Sequence, residues 1–419
     1  MRSSRRISSS LARKLLLALL AAVSVLFICF VMRQELLWSL TTIGHVVGLA
    51  VNQTGYGPSL NFRHDGSFQI TVFNDLHYGE GEDNPPEWGW GPISDVKTTQ
   101  VMNNVLDYES QDLVVLNGDL ITGENTHFEN STKYLDIIVA PLVDRGLTWA
   151  STYGNHDRAY NLSQTKLYKA EKKYSGSLTQ RMVRNPKAGI TNYVLEVYSR
   201  GELAMLLWFF DSYGGREYQK LAKNGSDIGL TQFVHPDVAN WLSHTSSKYK
   251  RRYKRAIPSL GFVHIPTYAT AAFQKTGVDP HKEPGINDDD PLAPQSIFWD
   301  QYTGEDVPFM KALLQTEGLM AVFSGHDHGD DWCHRWDRKY PDMDLKGNGI
   351  FLCFGRHTGY GGYGKWTRGS RQIRVNTESL GKEVETWVRL EDGSVSGRVV
   401  LNATYTKDYY PAVKNRTSS

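Results

Sequence analysis

Five short polar motifs, each set directly behind an apolar run, constrain this chain more than any other feature. They are Asp75-Leu76-His77, Gly118-Asp119, Gly154-Asn155-His156-Asp157, Val263-His264-Ile265-Pro266 and Gly325-His326-Asp327-His328. The runs ahead of them are Phe68 to Phe73, Leu113 to Leu116, Leu147 to Tyr153, Leu260 to Val263 and Leu319 to Phe323. Apolar runs of about four to eight residues bounded by Gly or Pro predict buried strands. Two more, Ala204 to Phe210 and Ile350 to Phe354, end at Asp211-Ser212 and Gly355-Arg356-His357. Amphipathic helices are predicted over Val96 to Tyr108 and Tyr134 to Asp144. Strands alternating with helices predict an α/β architecture with covered sheet faces. In such sheets functional groups gather at the carboxyl ends of the strands, where these motifs fall.

The residue types in the motifs point to metal chemistry. Two-metal hydrolysis uses cations about 3.5–4 Å apart that share a ligand. Carboxylate, imidazole and amide oxygen suit Zn, Mn or Fe. Asp75, His77, Asp119, Asn155, His264, His326 and His328 supply four ligands per metal if Asp119 is shared. His156 is then left over as a catalytic histidine beside the phosphoryl group, with Asp157 placed to orient its ring. The nucleophile expected of such a site is a hydroxide bridging the two metals.

Taken in order, Asp-Leu-His-x-Gly, Asn-Gly-Asp, Gly-Asn-His-Asp, Val-His-Ile-Pro and Ser-Gly-His-Asp-His resemble the calcineurin-like metallophosphoesterases. Within them the resemblance is to a single-domain branch related to purple acid phosphatases. It runs from about Phe68 to Val400 and takes in Gly189-Ile-Thr-Asn192-Tyr193 and Gly-Tyr360-Gly-Gly-Tyr363-Gly. It implies a four-layer α/β/β/α sandwich with two metals at the sheet edge. By position, Asp75, His77, Asp119 and His328 would hold one metal, and Asp119, Asn155, His264 and His326 the other. There is one departure. Purple acid phosphatases place a tyrosine three residues after the bridging aspartate, and Thr122 stands there. The iron–tyrosinate chromophore is therefore not expected, and the metals stay open among Mn, Fe and Zn.

The expected activity is a metal-dependent phosphomonoesterase, with phosphoprotein and small-molecule substrates both open. The alternatives are a phosphodiesterase acting on nucleotides or lipid head groups, and a non-catalytic membrane glycoprotein that keeps the fold for binding. His357, behind a predicted strand and beside the Gly-Tyr segment, is a candidate substrate-binding residue.

The formal net charge of +1 gives no global electrostatic case for nucleic acid. Residues 15–32 form an uncharged apolar run preceded by Arg2, Arg5, Arg6, Arg13 and Lys14. That pattern predicts a basic cytoplasmic stub over 1–14, a transmembrane signal anchor over 15–32 and a stem over 33–66. The catalytic domain is then expected over 67–402 and a polar tail over 403–419. The implied localisation is single-pass type II, with the domain in the secretory-pathway lumen or outside and the membrane as a partner. Secretion after signal cleavage is the alternative. Asn52, Asn130, Asn161, Asn224, Asn402 and Asn415 head Asn-x-Ser/Thr sequons, the pattern of a glycoprotein. Cys333 and Cys353 are read equally as a disulfide or as two free thiols.

Overall fold

The computed structural model describes residues 59–80 and 91–414. Two sheets dominate. The six-stranded sheet runs Val395–Leu401, Val384–Leu390, Gly369–Asn376, Ser67–Phe73, Leu113–Asn117, Trp149–Thr152. The seven-stranded sheet runs Leu60–Asn61, Tyr193–Ser199, Glu202–Phe210, Ser259–Val263, Leu319–Ser324, Ile350–Phe354, Cys333–Trp336.

Side-chain alternation explains why the central strands are apolar throughout. In Glu202–Phe210, Met205, Leu207 and Phe209 enter the core between the sheets, with Ile70, Val72, Phe262 and Phe323. Leu206, Trp208 and Phe210 point the other way, onto Val238, Leu242, Phe309 and Leu313 of the helices Pro236–Tyr253 and Val307–Gln315. Phe73, Val114 and Leu116 likewise leave the six-stranded sheet to meet Val101, Met102, Leu135 and Ile138 of the helices Pro92–Tyr108 and Tyr134–Asp144. The result is helix, sheet, sheet, helix. A strand buried on both faces cannot show polar alternation. Each fully buried Leu, Val or Phe contributes about 1.5–3 kcal/mol to holding the layers together.

The strands that carry the motifs are parallel. Ser67–Phe73, Leu113–Asn117 and Trp149–Thr152 pair in parallel, as do Glu202–Phe210, Ser259–Val263, Leu319–Ser324 and Ile350–Phe354. Their carboxyl ends therefore open on one edge of the sandwich. Cys333 and Cys353 sit opposite each other in an antiparallel pair and are joined by a disulfide. Beyond the last strand Tyr405 is fully buried and its hydroxyl donates to the Cys333 carbonyl.

The membrane-anchored architecture is corrected. Residues 15–32, on which it rested, lie outside the described residues. Among the described residues no helix is long and apolar enough to cross a membrane. The longest described helix, Pro236–Tyr253, buries only Val238, Ala239 and Leu242 and ends in Lys250, Arg251 and Arg252. The single-pass type II localisation and the membrane partner fall on the same ground. So does the glycoprotein expectation, which leaned on that topology. Of its sequons, Asn52 and Asn415 lie outside the described residues. At Asn161 the amide nitrogen a glycan would occupy already donates to the Thr126 carbonyl at 2.9 Å.

Candidate active site

The strand ends bring the expected ligands together from both sheets. Two clusters form: Asp75, His77 and His328, and Asp119, His264 and His326. Within each, one ligand atom per residue lies within 4.8 Å of the others. Asp119 Oδ2 is 2.9 Å from His264 Nε2 and 3.9 Å from His77 Nε2, so one oxygen faces both clusters. Asp75 Oδ1 lies 3.7 Å from His328 Nε2 and 3.9 Å from His264 Nε2.

Close approach here depends on glycine. A Cβ on Gly118 would lie 2.4 Å from the His264 ring, and one on Gly154 would lie 2.2 Å from Asp119 Oδ1. Gly118 also holds φ at 92°, a backbone region open to glycine at little cost.

The second nitrogen of three imidazoles is already committed. His264 Nδ1 donates to the Asn117 carbonyl at 2.9 Å, and His328 Nδ1 donates to the Tyr363 carbonyl at 3.0 Å. The Thr122 hydroxyl donates to Glu80 Oε1 and therefore accepts from His77 Nδ1, at 2.9 Å. Each ring so fixed turns its Nε2 toward the clusters. His77 Nε2 and Asn155 Oδ1 are buried without a hydrogen-bond partner, and His264 Nε2 faces Asp119 Oδ2. Burial, reinforced by His156 at His77 and by His264 at His326, drops both rings to about 3, so they are neutral near pH 7. Neutral rings and orphaned acceptors beside buried carboxylates fit a pair of divalent cations. Burial opposes the charge on Asp119, but His264 and His156 outweigh it and hold the carboxyl well below the usual range. Thr122, which stands where purple acid phosphatases carry a tyrosine, supports a histidine instead.

Other residues sit differently from the sequence expectation. Asp157 does not orient His156. Its Oδ1 accepts from the backbone of Leu120 and Ile121 and its Oδ2 from Gly154, so it pins the two ligand loops together. The carboxylate on the His156 ring is Glu124, 2.5 Å from Nδ1. Burial works against the charged His156 ring, yet Asp119 and the Glu124 bond raise it to about 10. No motif announced Glu124. The only sequence signal was an acid five residues past Asp119, within the same strand-end loop. His357 is buried, with both ring nitrogens bonded, and packs against the His328 ring. It does not line the cavity over the clusters, which His77, Asp119, Glu124, His156, His328 and Tyr363 help to form.

The family model described as calcineurin-like phosphoesterase matches residues 68–330. Probable inactive purple acid phosphatase 14 of Arabidopsis thaliana is 28% identical over 366 residues, 80% of this chain and 83% of that protein. Phosphatase DCR2 of Saccharomyces cerevisiae is 28% identical over 344 residues, 78% of this chain but 54% of that protein. A solved dimetal phosphatase from Danio rerio aligns with 80% of this chain and 98% of its own, at 13% identity and a TM-score of 0.49. The family match spans more than half of the chain and covers every strand end that supplies a ligand to the two clusters. This chain belongs to the calcineurin-like phosphoesterases and is a binuclear metallophosphoesterase.

Proposed function

We propose that the chain hydrolyses phosphodiesters, of nucleotide or lipid-head-group type, in preference to phosphomonoesters. The observation that supports this is the charge around the cavity. Its volume is about 450 Å³, room for a substantial ligand. Glu80 and Glu124 line it, and among the described residues no lysine or arginine does. A phosphomonoester carries nearly two negative charges at neutral pH, because its second pKa is about 6. A diester carries one. His156 is the cation that faces the ligand, and Glu124 already pairs with it. With no arginine or lysine to neutralise the extra charge, the monoanion is the better guest. This favours the diesterase over the monoesterase expected from the sequence.

Bound at the two clusters, a cation pair supplies Lewis acidity toward the phosphoryl oxygens and a nucleophile at neutral pH. The chain's own groups do the rest. The clusters fix where the phosphorus lies. His156, about one third exposed, faces the cavity with its Nδ1 held by Glu124. That leaves Nε2–H to contact a phosphoryl oxygen or protonate the departing oxygen. The word inactive in a relative's name raises a binding-only alternative. Two complete ligand clusters with His156 in place weigh against it here.

Two assays test the reading. Manganese-loaded protein should show higher kcat/KM on bis(p-nitrophenyl) phosphate than on p-nitrophenyl phosphate. A monoester rate tenfold above the diester rate would overturn the preference. Glu124→Gln keeps the hydrogen bond but removes the charge. It should lower kcat/KM by roughly 10- to 100-fold with manganese content unchanged. Wild-type kcat/KM in that variant would remove Glu124 from the mechanism.

A further inference from the structure

We propose that Arg368, acting through His357, is the positioning residue for His328 and so sets how firmly the Asp75, His77 and His328 cluster holds its cation. The His328 ring touches two others. His357 packs against it at 3.8 Å between centroids, tilted by 34°, and Tyr363 stacks on it at 4.1 Å with the planes 9° apart. With Nδ1 held by the Tyr363 carbonyl, the ring has no freedom to turn, and Nε2 stays directed toward Asp75 Oδ1.

That arrangement is only as rigid as His357. Its Nδ1 is 2.8 Å from Arg368 Nη1, and its Nε2 is 3.1 Å from the Gly361 carbonyl. A guanidinium has donors and no acceptor. His357 must therefore accept at Nδ1 and donate at Nε2, which fixes a neutral tautomer and the ring plane together. Arg368 itself is 3% exposed, and its guanidinium lies over the Tyr360 ring, 5.3 Å from the centroid. Its Nη2 donates to the Gly364 carbonyl at 2.9 Å. Burying a guanidinium is costly, and Tyr360 and Glu391 offset only part of that cost. What the guanidinium does secure is the segment from His357 to Gly364, the one that carries both rings flanking His328.

The proposal rests on the binuclear reading, and manganese alone is the probe. Wild-type protein is loaded with manganese and dialysed against rising chelator. Bound metal per chain is measured, and spin resonance distinguishes a coupled pair from an isolated ion. Arg368→Met should lose one ion at a chelator level about 10-fold or more below that needed for the wild type. Its spectrum should change to that of an isolated ion. Arg368→Lys, which can still donate to His357 Nδ1, should recover the coupled pair. His357→Gln keeps both hydrogen bonds but removes the ring packed against His328, and it decides the matter if Arg368→Met does not fold. It should also retain a single ion. Two ions at wild-type affinity in whichever of these variants folds would overturn the proposal. So would loss of both ions together with a matching fall in the melting temperature of the metal-free protein, since that is a purely structural role. A wild-type chain that binds fewer than two ions would instead sink the binuclear reading.

Discussion

Asp119→Asn is expected to abolish the paired-metal site and cut kcat/KM by at least about 100-fold, a loss of about 2.7 kcal/mol in transition-state stabilisation. The two carboxylate oxygens do different work. Oδ1 accepts the His156 backbone N–H at 2.7 Å and so fixes the loop that carries Asn155. Oδ2 lies against His264 of one cluster and near His77 of the other. An amide cannot serve both. If its oxygen stays with the loop, its NH2 group points at lone pairs that should face a cation. If it flips, the loop loses its acceptor. In either pose the negative charge shared by the clusters is gone. The check is bound manganese per chain together with kcat/KM. Two ions and activity within tenfold of wild type would show that Asp119 is not the shared ligand.

Glu171→Leu is expected to cost about 3–5 kcal/mol of folding stability, among the largest effects of any single change in this fold. Glu171 is completely buried. Its Oε1 accepts from Trp149 Nε1, Ser151 Oγ, Ser177 Oγ and Thr179 Oγ1, at 2.9, 2.8, 3.1 and 2.6 Å. Its Oε2 accepts from the Tyr153 hydroxyl at 2.6 Å. Leucine removes the acceptor and leaves five donors without it. Each buried donor left unpaired costs about 1–3 kcal/mol, and relaxation recovers part of the total. Trp149 and Ser151 belong to the strand that delivers Gly154-Asn155-His156, and Tyr153 follows it directly, so the damage reaches the site. Glu171→Gln keeps one acceptor oxygen and should lose less. A fall in urea midpoint with an unchanged slope would confirm the effect. A loss below about 1 kcal/mol for Glu171→Leu would mean the network is dispensable.

Much of this site was legible because its ligands are local features. Asp75, Asp119, Asn155, His264 and His326 each follow a run whose two-sided burial makes it apolar, and strand ends of parallel sheets converge by geometry. What sequence could not show was the set of partners that depends on register and on side-chain reach. Glu124, Glu171 and Arg368 each meet a residue brought close only by the folded chain. The strand Gly369–Asn376 was hidden for a related reason. Arg371 and Gln372 are buried in it, and Arg371 bonds to the carbonyls of Phe354 and Asp331, so no apolar period marks the segment. Asp157 misled because adjacency to His156 suggested a pair, whereas its oxygens close the loop backbone. The apolar run at 15–32 was conspicuous in sequence, yet it lies outside the described residues.

Each ligand cluster draws on both sheets. Asp75, His77 and Asp119 come from one, and His264, His326 and His328 from the other. An ion at either cluster is therefore a clasp between the two halves of the sandwich, and occupancy is linked by mass action to the folding equilibrium. At a free concentration 100 times the dissociation constant, one site adds about 2.7 kcal/mol to stability. A melting curve followed across a series of divalent cations should thus rank the metals by affinity before any substrate is known. A midpoint indifferent to every cation would mean that the clasp does not close.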